Sequence, residues 1–172
     1  MAKYILNALV ENHAGILAKM ASLFARRGFN IDSLAVGETH DPKLSSATIV
    51  VDGDAQTVDQ VEKQLSKLID VISVQTLAPE ASVSRELSLI KVSCTAKNRA
   101  EITQIVDIFR ANIIDISDHA VIIELTGSAM KIEAFKEMMR PYNILEMSRT
   151  GMIAMTRSLA DSKKVEADNH IL

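Results

Sequence analysis

Apolar positions alternate with polar ones in some segments of the chain and recur every three to four residues in others. Alternation over residues 3–10, 30–37, 45–51 and 71–77 predicts four β-strands, because successive side chains of a strand point to opposite faces. Helical spacing predicts two helices between them, the first ended by Gly28. Their apolar stripes are Leu17, Met20, Ala21 and Phe24 in the first helix, and Val58, Val61, Leu65 and Leu68 in the second.

The same order of elements is repeated in the second half of the chain. Strands are predicted at 87–95, 112–116, 120–125 and 144–147, with 152–155 as a candidate continuation of the last one. The fold class is therefore α+β, with two ferredoxin-like βαββαβ domains. We place the first domain at 1–78, a linker at 79–85, the C-terminal ferredoxin-like domain at 86–158 and a polar C-terminal tail at 159–172.

Side chains that can accept a hydrogen bond from a backbone amide stand near the predicted helix starts. Thr57 with Gln60, and Asn98 with Glu101, match the spacing of a capping box. Ser128 is predicted to begin the last helix. Asp54 follows a predicted strand and precedes a helix, so we interpret it as a capping residue rather than as a catalytic carboxylate.

The composition excludes several classes of partner. Hydrophobic residues make up 48% of the 172 residues and aromatic residues 3%, while the net charge is −3. Nucleic-acid binding is not expected, because it depends on clustered Lys and Arg. No apolar run approaches the ~20 residues that span a bilayer, so no membrane association is expected. Cys94 is a lone cysteine in a predicted strand, and we expect it buried in a cytoplasmic protein.

No pattern typical of catalysis is found. The four histidines are far apart, the six glycines match no phosphate-binding loop, and we expect neither catalytic residues nor a metal site. An RNA-recognition domain would carry aromatic residues on its central strands, where this chain has only Tyr4. An acylphosphatase-like enzyme would carry an arginine after the first strand, where this chain has Asn12 and His13.

The loop between the first strand and the first helix is the strongest candidate for a binding site. A helix N-terminus offers unpaired amides to a carboxylate, and Gly15 leaves room beside them. The side chain of Asn12 could accept a hydrogen bond from an ammonium group, and Asn30 offers the same chemistry from nearby, with an aliphatic lining by Ile16, Leu17 and Ile31. On the residues alone the simpler interpretation is structural, with Asn12 as helix cap, Gly15 as a packing residue and Asn30 in a turn.

Two motifs in the first half resemble those of the amino-acid-sensing ACT domain. They are E-N-x-x-G-x-L at 11–17 and R-G-F-N-I-x-S-L at 27–34. The similarity runs from about residue 3 to residue 158, and it is with the family of small regulatory subunits of acetolactate (acetohydroxyacid) synthase. This resemblance implies an ACT domain at 1–78 and a binding site for valine, leucine or isoleucine. The implied effector-binding residues are Asn12, His13, Ala14, Gly15, Ile16, Leu17, Asn30 and Ile31.

The resemblance also implies the partners. Asn30 and Ile31 would come from the neighbouring copy, so the site would exist only in a homodimer. The chain would activate a large catalytic subunit and confer feedback inhibition on it, without being an enzyme itself. Thiamine diphosphate, Mg and FAD would belong to that large subunit, with no cofactor in this chain. The alternative function is that of a free-standing ACT regulator that senses an amino acid for another protein.

Overall fold

The computed structural model describes residues 2–158, so the predicted tail at 159–172 lies outside the described residues. Two compact units are formed, one by residues 2–84 with 152–158 and one by residues 85–151. The boundary falls within a single strand, and each unit has its own hydrophobic core. The domain limits proposed from the sequence stay a prediction, although the structure groups residues 152–158 with the first unit.

The first unit has the predicted order of strands and helices. Its elements are β1 (Ala2–Glu11), α1 (Ile16–Arg27), β2 (Ile31–Glu38), β3 (Leu44–Gly53), α2 (Ala55–Leu65) and β4 (Val71–Leu77). The strands form an antiparallel sheet in the order β2-β3-β1-β4, so β2 and β4 are the edges. Two helices pack on one face of this sheet.

Alternation along the central strands separates the two faces of the sheet. Leu6, Ala8 and Val10 are fully buried in a core that also contains Phe24 of α1 and Val61 of α2. These residues face the helices, because every second side chain of a strand points to the same side. The intervening residues of β1 and β3 therefore point to the face that carries no helix.

A short C-terminal strand, β9 (Ile153–Thr156), lies on that helix-free face. Its Ala154 carbonyl accepts from Asn7 of β1 at 3.1 Å, and its Ala154 amide donates to the Thr48 hydroxyl of β3 at 3.2 Å. On either side of it, the Met152 amide donates to Ser33 Oγ, and the Arg157 amide donates to the Ala81 carbonyl. This segment covers the sheet, which explains why Thr48 is only 3% exposed although it faces away from the helices.

The sequence suggested residues 152–155 as a continuation of the closing strand, and the structure has them as a separate strand that pairs with the same neighbour, β5. That closing strand ends at Arg149, and β9 is a separate strand that pairs with β5, whose first residues belong to the first unit. Gly151, at φ 77°, lies between the two strands. The Thr150 amide donates to the Leu87 carbonyl and the Arg157 amide donates to the Ala81 carbonyl, so the chain after Gly151 keeps running along β5 into its first residues.

The second unit repeats the βαββαβ order. Its elements are β5 (Ser82–Ser93), α3 (Arg99–Ile108), β6 (Asn112–Ile116), β7 (Ala120–Gly127), α4 (Ala129–Met139) and β8 (Ile144–Arg149). The sheet order β6-β7-β5-β8 matches that of the first unit position by position. Cys94 is buried in its core, as predicted. The predicted fold class, two ferredoxin-like α+β domains, is confirmed.

Two local predictions, both of helix caps, were wrong. The Asp54 carboxylate, not the Thr57–Gln60 pair, caps α2 by accepting from the Thr57 amide at 2.8 Å. Asn98 stands before α3 but accepts from the Thr95 amide instead of capping the helix. Within the range predicted as a linker, a short 3₁₀ turn spans Pro79–Ala81 and Ser82 begins β5. Ser128 does cap α4 as predicted.

Candidate functional site

The N-terminus of α1 is left without a side-chain cap. Its cap position is Gly15, at φ 93°, and the first intrahelical hydrogen bond runs from the Lys19 amide to the Gly15 carbonyl at 3.0 Å. The amides before Lys19 have no acceptor within the helix. A Cβ built on Gly15 would meet no atom within 4 Å. The helix start therefore presents unpaired amides next to open space, which suits an anionic group.

Asn12 is held beside this helix start by two other segments. Its side-chain nitrogen donates to Glu38 Oε1 at 3.0 Å and to the Pro42 carbonyl at 2.9 Å. Both acceptors are oxygens, so the amide nitrogen must face them and the amide oxygen points elsewhere. Asn12 is therefore not the helix cap considered from the sequence. Its oxygen remains an acceptor suited to an ammonium group.

His13 joins the loop to a buried carboxylate. Its Nε2 lies 3.0 Å from Asp70 Oδ1, and its Nδ1 lies 3.0 Å from the Ala14 carbonyl oxygen. The second carboxylate oxygen of Asp70 accepts from Lys19 Nζ at 2.6 Å. The Asp70 carbonyl also accepts from the Glu11 amide. One aspartate thus connects the end of β1, the loop and the first helix.

The protonation states follow from these contacts. The Ala14 carbonyl, and after it the Asp70 carboxylate, raise the pKa of His13 above its usual value. Hydrogen bonds from Lys19 and then from His13 lower the pKa of Asp70. Since both ring nitrogens of His13 face oxygen acceptors, only the doubly protonated ring can donate to both of them. The loop is therefore held most firmly when His13 is a cation.

Glu11, His13 and Asp70 also bring three potential metal ligands within 4.8 Å of one another. Lys19 already forms an ion pair with Asp70, with 2.6 Å between the two charged atoms. This ammonium group neutralises the carboxylate and would repel a second cation. We therefore interpret the cluster as a support for the loop, and the sequence-based expectation of no metal site stays a prediction.

Asn30 and Ile31 lie at the other end of α1 from this loop. The helix has 12 residues, which corresponds to about 18 Å. The sheet gives a second measure: Ile31 pairs with Val51, which pairs with Tyr4, eight residues before Asn12 along the chain. At about 3.4 Å per residue, this is a separation of about 27 Å. Within one chain, Asn30 is not near Asn12, contrary to the interpretation made from the residues alone.

The predicted aliphatic lining is only partly available. Ile16 is 4% exposed and belongs to the hydrophobic core, so only its backbone amide can serve the site. Leu17 is 44% exposed beside the helix start, and Ala14 is exposed as well. Ile31 is half-buried against the core at the distant end of the helix. The loop in one chain therefore offers Leu17 as its main apolar contact.

Sequence analysis missed three residues that shape this region: Lys19, Glu38 and Asp70. Each is charged and lies in a segment where a charged residue is ordinary. Asp70 is 57 positions from His13 along the chain, and Glu38 is 26 from Asn12. No local pattern could have joined them, because the contacts depend on how β1, β3 and β4 are paired.

The fold defines the class of this protein, a tandem α+β protein built of two βαββαβ units. Residues 6–73 match the family described as the AHAS small subunit-like ACT domain. Residues 85–158 match the family described as the small subunit of acetolactate synthase. The chain belongs to the acetolactate synthase small-subunit family.

Individual relatives agree with this assignment. A probable acetolactate synthase small subunit of Archaeoglobus fulgidus is 51% identical over 155 residues, which are 90% of this chain and 97% of the relative. The acetolactate synthase small subunit of Mycobacterium bovis is 45% identical over 90% of this chain and 92% of its own length. The crystal structure of the acetolactate synthase small subunit from Thermotoga maritima superposes with a TM-score of 0.86, at 45% identity, over 91% of this chain and 98% of that one.

Across residues 2–158, none of the helices combines the length and the apolar character needed to cross a membrane.

Proposed function

We propose that this chain is a non-catalytic regulatory subunit that binds a branched-chain amino acid and controls a large catalytic subunit of acetolactate synthase. The relatives are named as small subunits of that enzyme, which supports the partner. The uncapped start of α1 beside Gly15 is the observation on which the binding site rests. Its amides would receive the carboxylate of the effector, and the Asn12 oxygen would accept from its ammonium group.

The distance between Asn12 and Asn30 supports a site built from two copies. Strand β2 is an edge of its sheet, and its Leu34 and Val36 are 39% and 38% exposed although they lie opposite core residues of β3. An exposed edge with apolar side chains is a template for pairing with another strand. A homodimer in which the two β2 strands pair antiparallel would bury this edge.

Such pairing would also bring the two halves of the site together. A two-fold axis through the middle of Ile31–Glu38 places Ile31 opposite Glu38 of the partner subunit. Glu38 accepts the hydrogen bond that holds Asn12, so Asn30 of one copy would lie beside the loop of the other. Within one chain, Asn12 and Asn30 are about 27 Å apart. Cross-strand neighbours are about 5 Å apart, so pairing of two copies would bring Asn30 of one copy close to Asn12 of the other.

Binding would control the partner by favouring one dimer arrangement over another. An effector shifts such an equilibrium only by its difference in affinity for the two states. We propose that the chain without effector activates the large subunit and that valine, leucine or isoleucine reverses this effect. Thiamine diphosphate, Mg and FAD are proposed to bind the large subunit alone.

Titration of the isolated chain with each of the twenty amino acids, followed by thermal unfolding, tests this proposal. A ligand at about a hundred times its dissociation constant adds roughly 2.7 kcal/mol of stability. Selective stabilisation by valine, leucine or isoleucine is expected, together with inhibition of the reconstituted enzyme by the same compound. Stabilisation by an unrelated amino acid, with no effect on the large subunit, would instead favour a free-standing regulator.

A further inference from the structure

A second concave site lies in the first unit, between the C-terminal ends of α1 and α2. It is a groove of about 490 Å³, a volume within the range of about 300–1,000 Å³ that is common for small-molecule sites. The groove is lined by Leu23, Arg26, Arg27, Gln64, Lys67 and Leu68. Its position and its lining differ from those of the loop at residues 11–17.

Three of the six lining side chains are positively charged and none is negatively charged. Among residues 2–158, no carboxylate forms an ion pair with Arg26, Arg27 or Lys67. The neighbouring lysine on α2 behaves differently, since Lys63 is paired with Asp59 at 2.7 Å. The groove therefore concentrates positive charge that the described part of the chain does not neutralise.

The ends of the two helices oppose this charge without cancelling it. Arg26 and Arg27 lie in the last turn of α1, where cations are favourable because a helix C-terminus carries about −0.5 of an elementary charge. Two such ends contribute about −1, while the three side chains contribute +3. A net charge of about +2 faces the groove, which is more than the stabilisation of the helix ends requires.

The groove is also partly ordered before any ligand binds. Arg27 Nη2 donates to Gln64 Oε1 at 3.3 Å, which connects a guanidinium group on α1 to α2. Leu23 is buried and Leu68 is half-buried, so the apolar part of the lining is held by the core. Pre-ordered side chains lose less conformational freedom when a ligand binds.

We propose that this groove binds an organic phosphate. The phosphate group is held by Arg26, Arg27 and Lys67, and the uncharged part of the molecule lies on Leu23 and Leu68. Arginine is suited to this role because its planar group donates two parallel hydrogen bonds to phosphate oxygens. A carboxylate carries less charge than a phosphate and would use the three cations less fully.

This site is additional to the proposed amino-acid site, and none of its lining residues is assigned to that site. Within one chain the groove lies at the end of α1 that is about 18 Å from the loop, by the length of the helix, and in the proposed dimer this end would approach the loop of the other copy. A chain that has lost its response to amino acids through Gly15→Asp should therefore still bind phosphate. The two proposals can fail independently.

The test uses inorganic pyrophosphate as the minimal probe, titrated into the full chain at low salt and followed by calorimetry. Saturable binding is expected, and the double variant R26Q/K67Q should weaken it about tenfold or more, since charged hydrogen bonds are lost. The matched control K97Q/R110Q removes the same charge from exposed positions of the second unit and should leave binding within about twofold.

Three results would overturn the proposal. One is the absence of saturable binding by the wild-type chain. Another is equal weakening in R26Q/K67Q and K97Q/R110Q, which would show attraction by overall charge instead of a site. The third combines two observations: the wild-type chain does not bind pyrophosphate, and the R26Q/K67Q variant associates less tightly with the large subunit. This result would mean that the groove contacts an acidic surface of that partner.

Discussion

Asp70 and Lys19 form a hydrogen-bonded ion pair, with 2.6 Å between the carboxylate Oδ2 and the ammonium Nζ. The other oxygen of the same carboxylate lies 3.0 Å from His13 Nε2. Asp70 is 7% exposed, so it joins the loop and the helix from beneath the surface. The position of the amides at the start of α1 relative to Asn12 therefore depends on Asp70, whose hydrogen bonds are with neighbouring residues of the loop and the helix.

The first prediction concerns this support. Asp70→Asn removes the charge that holds His13 and Lys19, so the loop should become mobile while the sheet stays folded. We expect the dissociation constant for the amino-acid effector to rise about tenfold, a typical size for coupling between neighbouring sites. Asp59→Asn is the control, because it removes an exposed ion pair of α2. Unchanged effector affinity in Asp70→Asn would show that the loop needs no such support.

The pH dependence of stability should carry the signature of His13. Its pKa is raised in the folded chain, so its stabilising contribution is complete below about pH 6.5, the ordinary value. That contribution is lost as the pH rises through the raised pKa. The lowered pKa of Asp70 has its effect at acidic pH, where its stabilising contribution is lost as the pH falls below about 4.

Urea unfolding at a series of pH values measures this effect. Between about pH 6 and pH 8.5 the wild-type chain should lose stability, and His13→Gln should lose less over the same interval. A glutamine can still donate one hydrogen bond to Asp70 but does not titrate. Identical pH profiles for the two proteins would mean that His13 makes no contribution.

Gly15 should be required for its backbone conformation and not for lack of space. A Cβ there would meet open space, but the φ of 93° is unfavourable for any other residue. Gly15→Ala should therefore cost roughly 1–2 kcal/mol of unfolding free energy. Gly37→Ala is the matched control, since Gly37 also has open space around it but no positive φ. Its stability should be unchanged or slightly higher, and equal losses in both would contradict the argument.

The strand β9 should protect the helix-free face of the first sheet. Thr48→Val keeps the shape of the side chain but removes the acceptor for the Ala154 amide. Leaving that amide unpaired should cost about 1–3 kcal/mol locally. Hydrogen exchange is the measurement: the Ala154 amide should exchange faster, with no change at Leu125 in the second unit. A protected Ala154 amide in the variant would show that this hydrogen bond does not hold the strand.

The regular elements could be predicted from the sequence because their signals are local. Alternation over 71–77 coincides with β4, and Gly28 ends α1 with the positive φ that glycine favours. The path of β9 could not be predicted in this way. Asn7 is an ordinary polar residue of a strand, and its partner Ala154 is 147 positions away. Long-range contacts of this kind leave no periodic trace in the sequence.

In the candidate site, too, the features with a local sequence signal could be predicted and those that depend on long-range contacts could not. The motif at residues 11–17 located the loop, and Gly15 was recognised there. The burial of Ile16 could not be predicted from the sequence, because an apolar residue in the first turn of a helix can face either the core or the solvent. The role of Asp70 as a support is visible only after the strands are paired.

The most direct test of the two-copy site combines two variants that each abolish the response to effector. Gly15→Asp damages the loop, and Asn30→His damages the residue supplied by the other copy. A purified dimer of one chain of each kind contains one site with both defects and one site with none. Calorimetric titration should then show one bound branched-chain amino acid per mixed dimer at wild-type affinity, while each variant alone shows none. No binding by the mixed dimer would contradict the account, because it would mean that Gly15 and Asn30 serve the same site within one chain.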